Sequence, residues 1–144
     1  MPTQIQRAQP SDRDEVVRLV EQNNLPLAGL EQHLSTTFVA RVDGRIVGAA
    51  ALEVYADGAL LRSVAVAPEL QRRGVGHQLT DAAIELAKET GAPAVYLLTT
   101  TAERFFPKFG FERIGRNEVP AGVQTSIEFT SACPTSATVM RRVL

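Results

Sequence analysis

The chain has 144 residues, 44% of them apolar and 22% charged, the size of one globular domain and too short for two ordinary ones. Fifteen Lys and Arg against sixteen Asp and Glu give a formal charge of -1, which excludes a general pull toward nucleic acid or an anionic membrane and leaves any anion site to be local. One cysteine rules out an intrachain disulfide framework, and with two distant histidines it forms no zinc pattern, so no metal is expected and a reducing cytoplasm is the default compartment.

The longest apolar run, about seven residues over 46–52, falls far short of the roughly twenty that span a bilayer. Residues 1–7 lack the long apolar centre of a secretory signal. In chain order, residues 4–8 read as a short strand, and Pro10 and Ser11 start a helix with Ser11 as its cap, ending near Asn23 and Asn24. A short second helix is expected over 30–34. Strands over 38–42 and 45–54 join through Asp43-Gly44 into a hairpin, and a second turn at Asp57-Gly58 returns the chain into a strand over 59–66. Residues 74–90 place Val75, Leu79, Ala82, Ala83, Leu86 and Ala87 on one helical face, closed by Gly91. A strand over 95–99, a short aromatic helix over 102–109 stopped by Gly110, a strand over 111–115, helical residues 121–129 and a last strand over 137–144 follow. The strand-helix-strand unit in the centre predicts parallel neighbours, so the antiparallel first half should continue into a mixed sheet covered by helices.

The strongest chemical signal lies between the strand ending at Pro68 and the helix of residues 74–90. Gln71-Arg72-Arg73-Gly74-Val75-Gly76 joins two arginines and two spaced glycines to a helix start, with His77 directly behind. Glycines let backbone N–H groups approach phosphate oxygens, the helix N-terminus adds positive potential, and the guanidinium groups offer charge-assisted bonds. An ordinary strand-to-helix turn with two solvated arginines fits the spacing equally well. No Walker or dinucleotide fingerprint is present.

Gln71-Arg72-Arg73-Gly74-Val75-Gly76 resembles the pyrophosphate-binding element of the GNAT acetyltransferase superfamily, and the order of elements is similar over nearly the whole chain, including Phe106-Pro107-Lys108-Phe109-Gly110-Phe111. A narrower resemblance, through Leu52-Glu53-Val54-Tyr55, residues 61–66, residues 96–102 and Ala132-Cys133-Pro134, is to the GNAT subfamily associated with arsenic resistance. The Leu-Thr-Thr stretch also looks similar to the acetyltransferase domain of N-acetylglutamate synthases. These resemblances imply a single α/β domain with a mixed, splayed sheet, acetyl-CoA as co-substrate, and direct transfer to a small amino-acid-like amine, including an arsenic- or phosphorus-containing analogue. A general amino-acid or protein-amine acetyltransferase and a non-catalytic acetyl-CoA sensor are the alternatives. No nucleic-acid or membrane partner is implied, and a homodimer stays open.

On that resemblance the pantetheine arm lies where the strand of residues 59–66 parts from that of 95–99, against the backbone of Val64, Ala65 and Val66. Val75 and His77 join the phosphate loop, and Phe106 replaces the tyrosine that commonly protonates the thiolate. Glu53 interrupts an apolar strand and shares a face with Ala51 and Tyr55. It is the expected general base, acting directly or through water, unless that face is solvent. Tyr55 or water is left to replace the missing acid. Arg62, in an apolar strand, either reaches a carboxylate on its own sheet face or meets the carboxylate of the acceptor, the role expected here. Thr99 and Thr100 are expected at the acceptor, with Thr101 as a helix cap. His33 is expected at the surface and Cys133 in packing.

Overall fold

The computed structural model describes residues 3–133 and 136–144, so Pro134 of the Ala132-Cys133-Pro134 segment lies outside them. Seven strands form one sheet in the order β1-β2-β3-β4-β5-β7-β6. β1 (Gln4–Arg7), β2 (Thr37–Val42), β3 (Arg45–Tyr55) and β4 (Gly58–Val66) run antiparallel in sequence order. β4 then pairs in parallel with β5 (Ala94–Thr99) across the crossover helix α2 (Val75–Glu89). The last strand, β7 (Thr138–Val143), inserts antiparallel between β5 and the short edge strand β6 (Glu112–Ile114). The mixed sheet follows the expected pattern.

The larger core joins α1 (Arg13–Gln22), through Val16, Leu19 and Val20, to α2, through Leu79, Ala83 and Ile84, over the alanine-rich centre of β3. Gly48 permits that approach: a Cβ there would lie 2.8 Å from Leu79 Cδ1 and 3.0 Å from Val75 Cγ1. A smaller cluster packs Leu60, Tyr96 and Val139 against Val119 and Val123, the latter on the one-turn helix α3 (Ala121–Gln124). None of the described helices is long and apolar enough to cross a membrane.

Several local expectations are corrected. Ser11 is exposed and caps nothing; a single 3-10 turn over Pro10–Asp12 precedes α1. Asp12 does the work instead, accepting the Gln9 N–H at 2.8 Å and pairing with Arg41 at 2.5 Å. Burial opposes its charge, but the Gln9 amide and the Arg41 guanidinium together hold its carboxyl below the usual range. The second hairpin turns at Ala56 and Asp57, and Gly58 is already a strand residue opposite Tyr55. Glycine is needed there for space, because Tyr96 and Val123 each stand 3.0 Å from where a Cβ would lie. Residues expected as short helices form 3-10 turns over Leu30–Thr36 and Phe106–Phe109, and the helix expected over 121–129 divides into α3 and a π-helical turn, Glu128–Ala132.

Two features of β4 position the site. Its ladder with β5 contains only Ala59 opposite Val95 and Leu60 opposite Tyr96, after which the two strands separate. On the other side a bulge sets Ser63 and Val64 of β4 against the single residue Ala50, between the pairs Ala51–Arg62 and Ala49–Ala65. Ser63 takes φ +57° there, a left-handed conformation rarely adopted by a residue with a side chain.

Candidate active site

A cleft of about 880 Å³ follows the parting strands from the start of α2 to the level of Leu61 and Leu97. At its α2 end, Gly74 adopts φ +84° as the N-cap residue and no side chain caps the helix. The first helical amide with an acceptor is that of Gln78, bonded to Gly74 O at 3.1 Å, which leaves the amides of Val75, Gly76 and His77 without helical partners. No acidic residue stands in that first turn. Gln71 Nε2 donates to Val66 O at 3.1 Å and ties the loop to the end of β4. Gln71, Arg72, Gly74, Gly76 and His77 all line the cleft. Arg73 is exposed and off the wall, and the Val75 side chain is buried against the Gly48 surface, so neither side chain meets the cleft.

The sequence reading missed two further cations on this wall, Arg104 and Lys108. Their spacing of four residues on an aromatic segment was the available signal. Lys108 Nζ lies 4.2 Å from the centroid of the Phe105 ring. His77 pairs with Asp81 at 3.2 Å and packs on Phe109 with ring centroids 4.7 Å apart. Uncapped amides, three flexible cations and no carboxylate among the described lining residues make this end chemically fit for a polyphosphate.

Farther in, Val64 and Val66 line the cleft while Ala65, 1% exposed, is turned into the core. Beyond Leu60 the edge of β4 that faces β5 has no sheet partner. On the opposite arm Thr99 and Thr101 line the wall, whereas Thr100 is exposed and not part of it. Thr99, rather than Thr101, caps the following turn, its Oγ1 accepting the amides of Ala102 at 2.9 Å and Thr101 at 3.3 Å. Phe106 reaches the wall from an aromatic cluster, edge-on to Phe105 and Phe111 at 5.0 and 5.8 Å.

At the inner end the expectation for Arg62 is corrected. Its side chain is fully buried, and four hydrogen bonds and an ion pair hold the guanidinium within the protein. Nη1 donates to Ala28 O at 2.7 Å and Glu53 Oε2 at 3.0 Å, Nη2 to Pro26 O at 3.0 Å with Glu128 Oε2 at 3.4 Å, and Nε to Ser63 Oγ at 3.1 Å. The open alternative, a carboxylate of its own sheet face, is the one realised, and the guanidinium is spent mainly within the protein although Arg62 lines the inner end of the cleft. Glu53 is likewise buried, accepts from Tyr55 Oη at 2.5 Å as well as from Arg62, and does not line the cleft. The expected base is therefore a positioning group for Arg62.

Burial pushes the carboxyl of Glu128 up against the pull of Arg62. Its Oε1 accepts from Cys133 Sγ at 3.4 Å, and burial with the neighbouring carboxylate raises that thiol to about 12, so Cys133 remains protonated. Tyr55 is similarly pushed up to about 12 by burial and by its bond to Glu53. His33 is only partly exposed and is not without a partner: its Nε2 lies 3.7 Å from Glu53 Oε2, and burial lowers its affinity for a proton. Among the described residues no cluster of three or more His, Cys, Asp or Glu side chains is placed to hold a metal.

Residues 33–113, more than half of the chain, match the family described as "Acetyltransferase (GNAT) domain". An amino-acid acetyltransferase of Mycobacterium tuberculosis is 32% identical over 133 residues, 83% of this chain and 74% of that protein. The amino-acid acetyltransferase of Neisseria meningitidis serogroup A is 31% identical over 93 residues, and the match spans only 21% of its length. Among solved structures, Rv2747 from Mycobacterium tuberculosis in complex with CoA and NLQ has a TM-score of 0.84 at 27% identity, covering 98% of this chain and 99% of that one. N-acetylglutamate synthase from Neisseria gonorrhoeae, complexed with coenzyme A and N-acetyl-glutamate, shares the fold with a TM-score of 0.85 at 24% identity, covering 100% of this chain and 35% of that one. With more than half its length matched to one domain family and a relative aligned over most of both proteins, the chain belongs to the GNAT acetyltransferase family.

Proposed function

We propose that this protein transfers the acetyl group of acetyl-CoA to the α-amine of a small amino acid. The observation that carries this reading is the continuous wall from the uncapped start of α2 to the parting of β4 and β5, with no carboxylate among its described lining residues. The amides of Val75, Gly76 and His77 would hold the diphosphate, with Arg72, Arg104 and Lys108 adding charge. The free edge of β4 at Val64 and Val66 would hold the pantetheine amides as an added strand does, and an N–H there would polarise the thioester.

Acetyl-CoA supplies the acetyl thioester. The acceptor nitrogen forms the C–N bond, the C–S bond breaks, CoA leaves as thiolate, and the nitrogen releases its proton to water. An α-amine titrates near 8 and a lysine amine near 10.4, so a wall without a carboxylate base suits the former. The hydroxyls of Thr99 and Thr101 are available to the acceptor. A thiolate of pKa about 8.5 departs without a strong acid, which fits Phe106 on the wall.

A thiol-release assay with acetyl-CoA and a panel of free amino acids, lysine-containing peptides and peptide N-termini tests this reading. Turnover is expected with free α-amino acids and not with internal lysines. Preference for a peptide, or acetyl-CoA binding without turnover anywhere on the panel, contradicts it. The finer form of the reading, an arsenic- or phosphorus-containing amino-acid analogue as the preferred acceptor, rests on the arsenic-resistance resemblance. Faster turnover of ordinary amino acids than of such analogues would remove it.

A further inference from the structure

We infer that the Ser63 hydroxyl donates a hydrogen bond to the carbonyl oxygen of the acetyl thioester, acting as a side-chain oxyanion donor; this rests on the acetyl transfer proposed above. Arg62 Nε donates to Ser63 Oγ at 3.1 Å. A hydroxyl offers two lone pairs and one proton, so this bond occupies a lone pair and leaves the proton to be donated. No bond recorded for Ser63 among the described residues uses it. Ser63 is 9% exposed and lines the cleft, just beyond the last β4–β5 pair. The free proton therefore has the cleft as its outlet.

Two features separate Ser63 from an incidental strand serine. First, the bulge holds it at φ +57°, a conformation that glycine would adopt at lower cost. Second, a guanidinium stands directly behind it, fixed by the Ala28 and Pro26 carbonyls and by Glu53. A cation bonded to the oxygen strengthens the O–H as a donor, and a fixed donor needs no reorganisation as charge grows on the carbonyl oxygen. Thr99, on the other arm, also keeps its proton free, but its oxygen is bonded only to neutral amides. The Ser63 donor would act beside the Val64 amide. This gives the buried Arg62–Glu53 pair a task although both side chains are held in bonds within the protein.

The test uses Ser63→Gly, which tolerates the backbone conformation, together with Ser63→Ala. Two quantities are read: kcat in the thiol-release assay, and the infrared carbonyl stretch of bound acetyl-CoA labelled with carbon-13 at the carbonyl. Both variants should retain CoA affinity by calorimetry while kcat falls on the order of 100-fold, the loss typical of an oxyanion donor. The labelled carbonyl should absorb at higher frequency in either variant than in the parent protein. An unchanged frequency, a kcat within about twofold, or a loss of CoA affinity as large as the loss of kcat overturns the inference. If the parent protein acetylates no amino acid, the proposed acceptor is wrong, and the carbonyl frequency still decides whether Ser63 donates.

Discussion

The two ends of the cleft are built by different means. At the α2 end the site is local: six consecutive residues, Gln71 to Gly76, supply glycine conformations, a helix start and charge, and backbone amides are the groups it offers. At the inner end Arg62 draws together carbonyls at residues 26 and 28, a carboxylate on β3 and another on the π-helical turn at Glu128. A backbone site at the surface can lose side chains without unfolding. A buried ion cluster cannot, because removing one member leaves the rest uncompensated.

The sharpest way to break that comparison is Arg62→Met. It strands two buried carboxylates, and a loss of about 3–5 kcal/mol is expected, seen as a large fall in the urea midpoint. Adding Glu53→Gln and Glu128→Gln to the same chain should recover part of the loss, since the uncompensated charge is then removed. At the other end, Arg72→Gly removes a cation and suits the φ of +67° found there. It should leave the urea midpoint unchanged or slightly raised while weakening acetyl-CoA binding about 10-fold, an effect that shrinks as salt rises. Lys108→Ala should behave similarly in calorimetry.

The smallest expected effect is on pH dependence. Burial lowers the His33 proton affinity below the ordinary 6.5, so the unfolded chain takes up that proton first. The associated stability is intact above pH 6.5 and declines as pH falls through 6.5 and then through the lower folded value. Glu128 has the opposite sign: its carboxyl is raised above 4.5, so its contribution is present below that value and is lost as pH rises through the folded one. Subtracting the urea midpoints of His33→Gln from those of the parent at each pH isolates the histidine. The difference should grow against the parent on acidification and vanish near neutrality.

This contrast also decides what could be read in advance. The loop of residues 71–76 and its passage into a helix were legible because glycines, arginines and a helix start are adjacent in sequence. The hairpin at Asp43-Gly44, the strand-helix-strand crossover and the mixed sheet followed from local patterns for the same reason. The partners of Arg62 were not legible: Pro26, Ala28, Glu53 and Glu128 are 36, 34, 9 and 66 positions away, and nothing in their neighbourhoods marks them as a cluster. Glu53 was singled out correctly as unusual, but a charge in an apolar strand signals a buried partner as readily as a base. Ser63 gave no warning, since a bulge with positive φ leaves no trace in a run of Leu, Arg, Ser and Val.

The most direct test of where acetyl-CoA sits is a titration followed by backbone amide chemical shifts. Shifts concentrated at residues 74–77 and at Val64 and Val66, saturating together, are predicted. Shifts confined to a second groove, between Glu15, Arg18 and Arg45, or none at all at saturating ligand, would contradict the account.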